Sequence, residues 1–316
     1  MPFFTPLVSI VTIFLNQEQF LEEAIESVRR QTTCRWELLL VDDGSSDGSS
    51  EIARRFAVVD PLRIRYLTHG IGINRGKSVS RNLGLGEARA EYVTFLDGDD
   101  VFCPQKIERQ SGILEREPAA MVYGPSLYWH RWPGASPSGR ADAAGRLGLA
   151  PDRIYAPPRL LTHFLREAGT VPCISGLTVR RTAALQVGGF DERIADLFED
   201  QVFIAKICAR FPVYVESGCW DLYRQHAAST SHQAIACGRY HPIRPNDSHR
   251  QFLSWLEEHV AGQQLTDTDL RAALARSTRP YRYSTVYSVA DRCRRFARRA
   301  GRTIRRTMAS GGEMSV

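Results

Sequence analysis

The sequence has no apolar run long enough for a membrane helix. Its longest, "LVSIVTIFL" at 7–15, falls well short of the roughly 20 residues a span needs. No Lys or Arg precedes that run and no small-residue cleavage site follows it. A buried strand is therefore expected there, not a signal-peptide core. None of the seven cysteines forms a C-x-x-C pair, which argues against a zinc or disulfide framework and predicts reduced thiols in a cytosolic protein. Glycine is missing from "NQEQF" at 16–20, where a dinucleotide-binding chain needs it to bring backbone up to a pyrophosphate. Acid is missing from 292–306, which holds eight arginines; subtracting these 8 from the net charge of +6 leaves −2 for the rest of the chain. The basic character is thus local.

What is present is ordinary globular material. At 316 residues, 43% hydrophobic and 24% charged, the chain can hold one large domain or two smaller ones. Strand and helix patterns alternate through the first hundred residues. "LVSIVTIFL", "WELLLV" (36–41), "RIRYL" (63–67) and "YVTFL" (92–96) read as strands. Helical spacing follows the first, with Asn16 as expected N-cap and Gln19 as its capping-box partner. Asp47 is the expected cap of the second helix, and a third spans about 78–90. Pro104 opens a fourth helix and "AMVYG" (120–124) is a fifth strand. Such alternation predicts an α/β fold with one mostly parallel, Rossmann-like sheet flanked by helices. Residues 133–152 are rich in Gly, Pro, Ser and Ala and read as a flexible loop. Further strands are expected at 174–181 and 212–217, and a helix at 199–211.

Two acidic clusters stand out: "DDGSSDGS" after the second strand and "DGDD" (97–100) after the fourth. In a parallel sheet, ligands bind beyond the carboxyl ends of strands, so both clusters face one rim. Either could be only a solvated turn. A calcium loop would put Asp97, Asp99 and Glu108 at positions 1, 3 and 12, but its obligatory glycine is replaced by Phe102. Crowded carboxylates are tolerated if a divalent cation sits among them and neutralises a diphosphate. Mg²⁺ and Mn²⁺ take one or two carboxylates plus phosphate and water.

The stretches "VSIVTIFLNQEQFLEEAIESV", "WELLLVDDGSSDGS", "SRNLGLGEARAEYVTFLDGDD" and "VGGFDE…FEDQ" resemble, in order, a family 2 glycosyltransferase with the GT-A fold. The resemblance covers about 7–226 and implies an inverting, nucleotide-diphosphosugar-dependent enzyme. It implies donor contacts from Phe14, Asn16, Asp42, Asp43, Arg81 and Asp97, and a metal on Asp99 and Asp97 of the Asp-x-Asp motif, with His226 as a further candidate ligand. It implies a catalytic base in the pair Glu199-Asp200, with Asp200 preferred. Taken alone, that pair could equally serve the helix dipole. The family often has Pro-Thr-Tyr before the first-strand Asn, where this chain has "IFL" (13–15), and a Gln-x-x-Arg-Trp motif of processive members is replaced by "YRQH". Tyr128, Trp129, His130, Trp132 and "PCISG" (172–176) are candidates for the acceptor side.

The expected partners are a nucleotide-diphosphate sugar and a hydroxyl acceptor, such as a glycan or lipid-linked saccharide of cell-envelope synthesis. A sugar nucleotidyltransferase and a non-catalytic sugar-nucleotide-binding module are the alternatives. The expected division is a GT-A domain over 1–230 and a helical C-terminal extension over 231–316. In the latter, Val289, Cys293, Phe296, Ala300 and Ile304 form an apolar stripe among arginines. That pattern suits an anionic membrane surface better than nucleic acid, and predicts a cytoplasmic enzyme on the inner membrane face.

Overall fold

Seven consecutive buried residues make β1 (Val8–Phe14), and β2 (Trp36–Asp42) repeats the pattern. Both are covered on two faces, which is why they read as unbroken apolar runs. With β3 (Ile64–Thr68) and β4 (Tyr92–Asp97) they form a parallel block in the order β3-β2-β1-β4. Helices α1 (Leu21–Arg29), α2 (Ser49–Val59) and α3 (Lys77–Glu87) make the crossovers. The α/β fold with a mostly parallel central sheet is therefore as expected in this computed structural model, which describes residues 5–135, 139–194, 197–241 and 244–283.

Beyond β4 the alternation breaks. The two-residue β5 (Val101–Phe102) leads through α4 (Lys106–Arg116) to β6 (Met121–Tyr123), β7 (Leu127–Trp129), β8 (Ala143–Ala144), β9 (Arg153–Tyr155) and α5 (Arg159–Leu165). Next, β10 (Leu177–Arg180) inserts antiparallel between β4 and β6. After α6 (Arg181–Gln186) and α7 (Glu199–Arg210), β11 (Val213–Val215) joins β6 and β9 to complete an eight-stranded sheet. By contrast, β12 (Asp221–Arg224) pairs with β5 and β7 in a separate four-stranded sheet that β8 completes. Strands of two to four residues are too short to show a readable period, so the sequence pattern carries no sign of this second sheet. Part of the predicted 133–152 loop is thus strand.

The chain continues through α8 (Thr230–Ala236), α9 (Asp247–Gly262) and α10 (Thr268–Arg282). Leu253 and Leu256 of α9 and Leu270 and Leu274 of α10 are buried in the same apolar cluster as Val93 and Phe95 of β4. The arginine-rich stretch 292–306 lies outside the described residues. Among the described residues, no helix is long and apolar enough to cross a membrane.

Two caps differ from expectation. Asn16 does not cap α1, which begins five residues later at Leu21. Its backbone is left-handed, at φ 53°, a conformation Asn tolerates better than most residues. Its side-chain oxygen instead accepts from Ser46 N at 2.8 Å, tying the end of β1 to the loop after β2. Asp47 sits one residue before the cap of α2, Gly48, but its carboxylate still accepts from Ser49 N at 3.0 Å.

Gly84 sets how closely α3 approaches the sheet. A Cβ there would stand 2.3 Å from Val11 Cγ1 of β1. Arg81, one turn earlier on the same face, reaches the rim because of this contact. Gly84→Ala should cost about 1–3 kcal/mol through overpacking, read as a lower urea midpoint with unchanged slope. An unaltered midpoint would mean that α3 can shift outward freely.

Candidate active site

The carboxyl ends of β1, β2 and β4 open into a cleft of about 1100 Å³. Phe14, Asn16, Asp43, Arg81, Asp97, Asp99, Glu199, Asp200 and His226 all line it. Nine of the ten donor, metal and base candidates read from the sequence are therefore gathered in one place. The tenth, Asp42, lies behind Asp43 and is 2% exposed.

The acid pair after β2 is committed to its own loop. Asp42 accepts from the backbone N–H of Gly44 and Ser45 at 3.1 and 2.8 Å, from Tyr66 Oη at 2.8 Å, and from Ser50 Oγ. Burial pushes its pKa up, but the hydrogen bonds from Ser50, Ser45 and Tyr66 outweigh that and hold it below the usual value. Asp43 accepts from Arg75 N at 2.8 Å and from Gly76 N at 3.1 Å. Together they fix the loops at the β1–β2 end of the cleft.

The "DGDD" turn sorts its three carboxylates by environment. Asp97 Oδ1 accepts from Arg81 Nη2 at 2.7 Å. Asp99 Oδ2 stands 2.9 Å from His226 Nε2. Asp100 points inward, 1% exposed, and its two oxygens meet Ser175 Oγ at 2.7 Å and Arg224 N at 3.0 Å. Burial first, then the charges of Asp99 and Asp97, raises the Asp100 pKa well above the usual range. It is a buried structural acid, leaving Asp97 and Asp99 to face the cleft. Arg81, His226 and the buried pair Ser175 and Arg224 N–H thus each meet one of the three acids.

Arg81 is the central cation. It is 1% exposed, and its other nitrogen donates to Glu199 Oε1 at 2.9 Å. Lys77 Nζ stands 3.7 Å from that same oxygen. The two carboxylates hold the guanidinium charged against the cost of burial, and its pKa is raised. Phe198, just before α7, is left-handed at φ 70°, an outlier for a bulky residue. It is held by stacking on Phe252 and His249, with ring centroids 5.3 and 5.6 Å away. The turn it makes delivers Glu199 to Arg81 and leaves Asp200 half-buried in the cleft. Burial, then the charge of Glu199, lifts the Asp200 pKa to about 6, in the range that suits a general base at neutral pH.

A divalent cation has candidate ligands here. Among the described residues no group of three His, Cys, Asp or Glu side chains forms a metal site. The pair Asp99–His226, with Asp97 two residues away, offers carboxylate and imidazole. That donor set fits Mn²⁺ or Mg²⁺ when phosphate and water fill the remaining positions.

Arg224, Lys106 and Gln110 escaped the sequence reading, and Ser175 was named there only as part of "PCISG". Arg224, 2% exposed, is enclosed by the faces of Phe20, Trp129 and Trp132 at 4.6–5.1 Å. It donates to Asp99 O at 2.7 Å and to Glu23 at 2.6 Å. The two tryptophans therefore pack on this arginine and do not line the cleft, unlike Tyr128 and His130. Ser175, in "PCISG", accepts from Asp97 N at 3.3 Å. Gln110 of α4 is wholly buried and donates to Gly176 O at 3.0 Å, while Lys106 donates to it at 2.8 Å. Lys106 and Gln110 are spaced like an ordinary exposed helix pair, so nothing in the sequence marked them as buried.

An α/β sheet whose rim gathers an Asp-x-Asp turn and a second acid pair in one cleft has the arrangement expected of the GT-A fold. The chain belongs to glycosyl transferase family 2, whose family model matches residues 9–184. It is 36% identical over 124 residues to a putative teichuronic acid biosynthesis glycosyltransferase, TuaG, of Bacillus subtilis, covering 39% of this chain and 48% of that protein. It is 35% identical over 120 residues to the UDP-Glc:alpha-D-GlcNAc-diphosphoundecaprenol beta-1,3-glucosyltransferase WfgD of Escherichia coli, covering 37% and 45%. The chain thus spans about half the length of these relatives. Among solved structures it resembles S. aureus TarS 1-349 in complex with UDP-GlcNAc, with a TM-score of 0.53 and 15% identity over 85% of this chain and 79% of that one. At that identity the likeness speaks for the fold.

Proposed function

We propose that the chain transfers a sugar from a nucleoside-diphosphate donor to a hydroxyl acceptor, with inversion at the anomeric carbon. The observation that carries this reading is the Arg81 bridge. One buried guanidinium joins Asp97, beside the phosphate-facing acids, to Glu199, beside a carboxylate with a pKa of about 6. Donor-binding and proton-accepting groups thus stand in one cleft at fixed separation.

In this reading Phe14, Asn16 and Asp43 border the nucleoside end, with Asp42 holding their loop from behind. Asp99 and His226, with Asp97 beside them, would hold Mg²⁺ or Mn²⁺, which would supply Lewis-acid stabilisation to the departing diphosphate. Asp200 takes the proton of the acceptor hydroxyl as it attacks the anomeric carbon from the side opposite the leaving group. The diphosphoundecaprenol-linked acceptor in the name of one relative supports a lipid-linked saccharide as the acceptor class. Residues 1–230 make up the body of the transfer unit, with α8 to α10 completing its cleft and core, and the arginine-rich tail serves an anionic membrane surface.

A thermal-shift panel of nucleotide sugars with Mn²⁺ and with chelator tests this. A ligand at about 100 times its Kd adds about 2.7 kcal/mol, which raises Tm by several degrees. At least one nucleoside-diphosphate sugar should do so only with metal. No shift across the panel, or a shift indifferent to chelator, would overturn the reading.

A further inference from the structure

Glu199 and Asp200 are adjacent in sequence yet meet different surroundings. Glu199 is 4% exposed and carries both cations, Arg81 at 2.9 Å and Lys77 at 3.7 Å, on a single oxygen. Among the described residues, Asp200 lines the cleft and accepts one hydrogen bond, from Gln201 N at 2.7 Å. A carboxylate bound to a buried guanidinium is a poor proton acceptor, because protonation would strand the cation. Another nitrogen of the same guanidinium donates to Asp97 at 2.7 Å, so Arg81 joins an acid 16 residues after it to one 118 residues after it.

Resting on the glycosyltransferase reading above, we propose that Glu199 is a positioning residue: anchored by Arg81 and Lys77, it sets the proton affinity of Asp200 and ties it to the donor acid Asp97. The charge of Glu199 opposes ionisation of Asp200, while Arg81 and Lys77 favour it. Among the described residues, Tyr128 of β7, Cys173 before β10 and Tyr240 after α8 are the further titratable groups that feel the charge of Asp200. All three have raised pKa values and are neutral near pH 7, so the balance rests on the Glu199–Arg81–Lys77 group.

Two variants should move the base in opposite directions. Glu199→Gln keeps an acceptor for Arg81 but removes the negative neighbour. Asp200 should then ionise more readily, and the acidic limb of kcat against pH should fall by about one unit. Turnover above that limb should drop about three- to tenfold, since a weaker base accepts the proton less well. Lys77→Met removes the outer cation, so the limb should rise. Both are measured at saturating donor and acceptor, and donor affinity is titrated separately by calorimetry. Opposite shifts with the limb still present support the proposal. Loss of more than about 10²-fold in Glu199→Gln with disappearance of the limb would make Glu199 itself the base, and an unmoved limb would show that Glu199 does not act on Asp200; either overturns it. Should Glu199→Gln fail to fold, Lys77→Met alone decides: a raised limb supports the proposal and an unmoved one overturns it. The underlying reading fails separately, if Asp200→Asn turns over normally.

Discussion

Asp200→Asn is expected to reduce turnover by about 10²–10⁴-fold, the usual worth of a general base, while donor affinity stays unchanged. The amide keeps the shape of the carboxylate and can still accept from Gln201 N, now 2.7 Å from Oδ1, so the start of α7 should be undisturbed. What it loses is the ability to take a proton in the chemical step. Initial rates of nucleoside diphosphate release at saturating acceptor give turnover, and calorimetric titration with donor gives affinity. In the unmodified protein the rate should rise through a limb near pH 6, the value to which burial and Glu199 lift Asp200. That limb should vanish in the variant. Near-normal turnover would exclude Asp200 and turn attention to Glu199.

Asp99→Asn should remove metal-dependent donor binding. A carboxamide carries no charge, and His226 would face a neutral oxygen where it now faces Asp99 Oδ2 at 2.9 Å. The loss in cation affinity should exceed the roughly 10–100-fold that follows removal of a mere outer partner. The fold should persist, since the backbone oxygen of Asp99, not its side chain, anchors Arg224. Mn²⁺ titration followed by electron paramagnetic resonance, with nucleoside diphosphate present, checks this directly. Donor binding that keeps its full metal dependence would show that Asp99 is not a ligand.

The parts legible in the sequence were those governed by local pattern. The four apolar runs before residue 100 became β1 to β4, and the acids placed at their carboxyl ends met in one cleft. What stayed illegible was long-range. Asp97, Asp99 and Asp100 look alike in sequence, yet Arg81, His226 and burial give them three different states. Asp42 and Asp43, read from sequence as donor contacts, also hold their surroundings: Asp42 accepts from Gly44 and Ser45 N–H and from the Ser50 and Tyr66 hydroxyls, and Asp43 from N–H groups up to 33 residues away. Trp129 and Trp132 resembled sugar-stacking faces and instead enclose Arg224, a partner no spacing rule connects to them. Asn16 had the composition of a helix cap but sits left-handed, because a bond to Ser46 competes with the capping geometry.

The pair formed by Asp99 and His226 lies across a seam. Asp99 leaves the large sheet at the end of β4, and His226 follows β12 of the small one, 127 residues later. Whatever grips both side chains would add to the bonds that Arg224 of β12 already makes to Asp99 and Asp100, so the small sheet should gain rigidity in the loaded complex. Hydrogen exchange in β7 and β12 would then report site occupancy from a distance. Departure of the spent nucleotide and slackening of the seam would be one event, with the rate of product release governed by how readily the small sheet lets go.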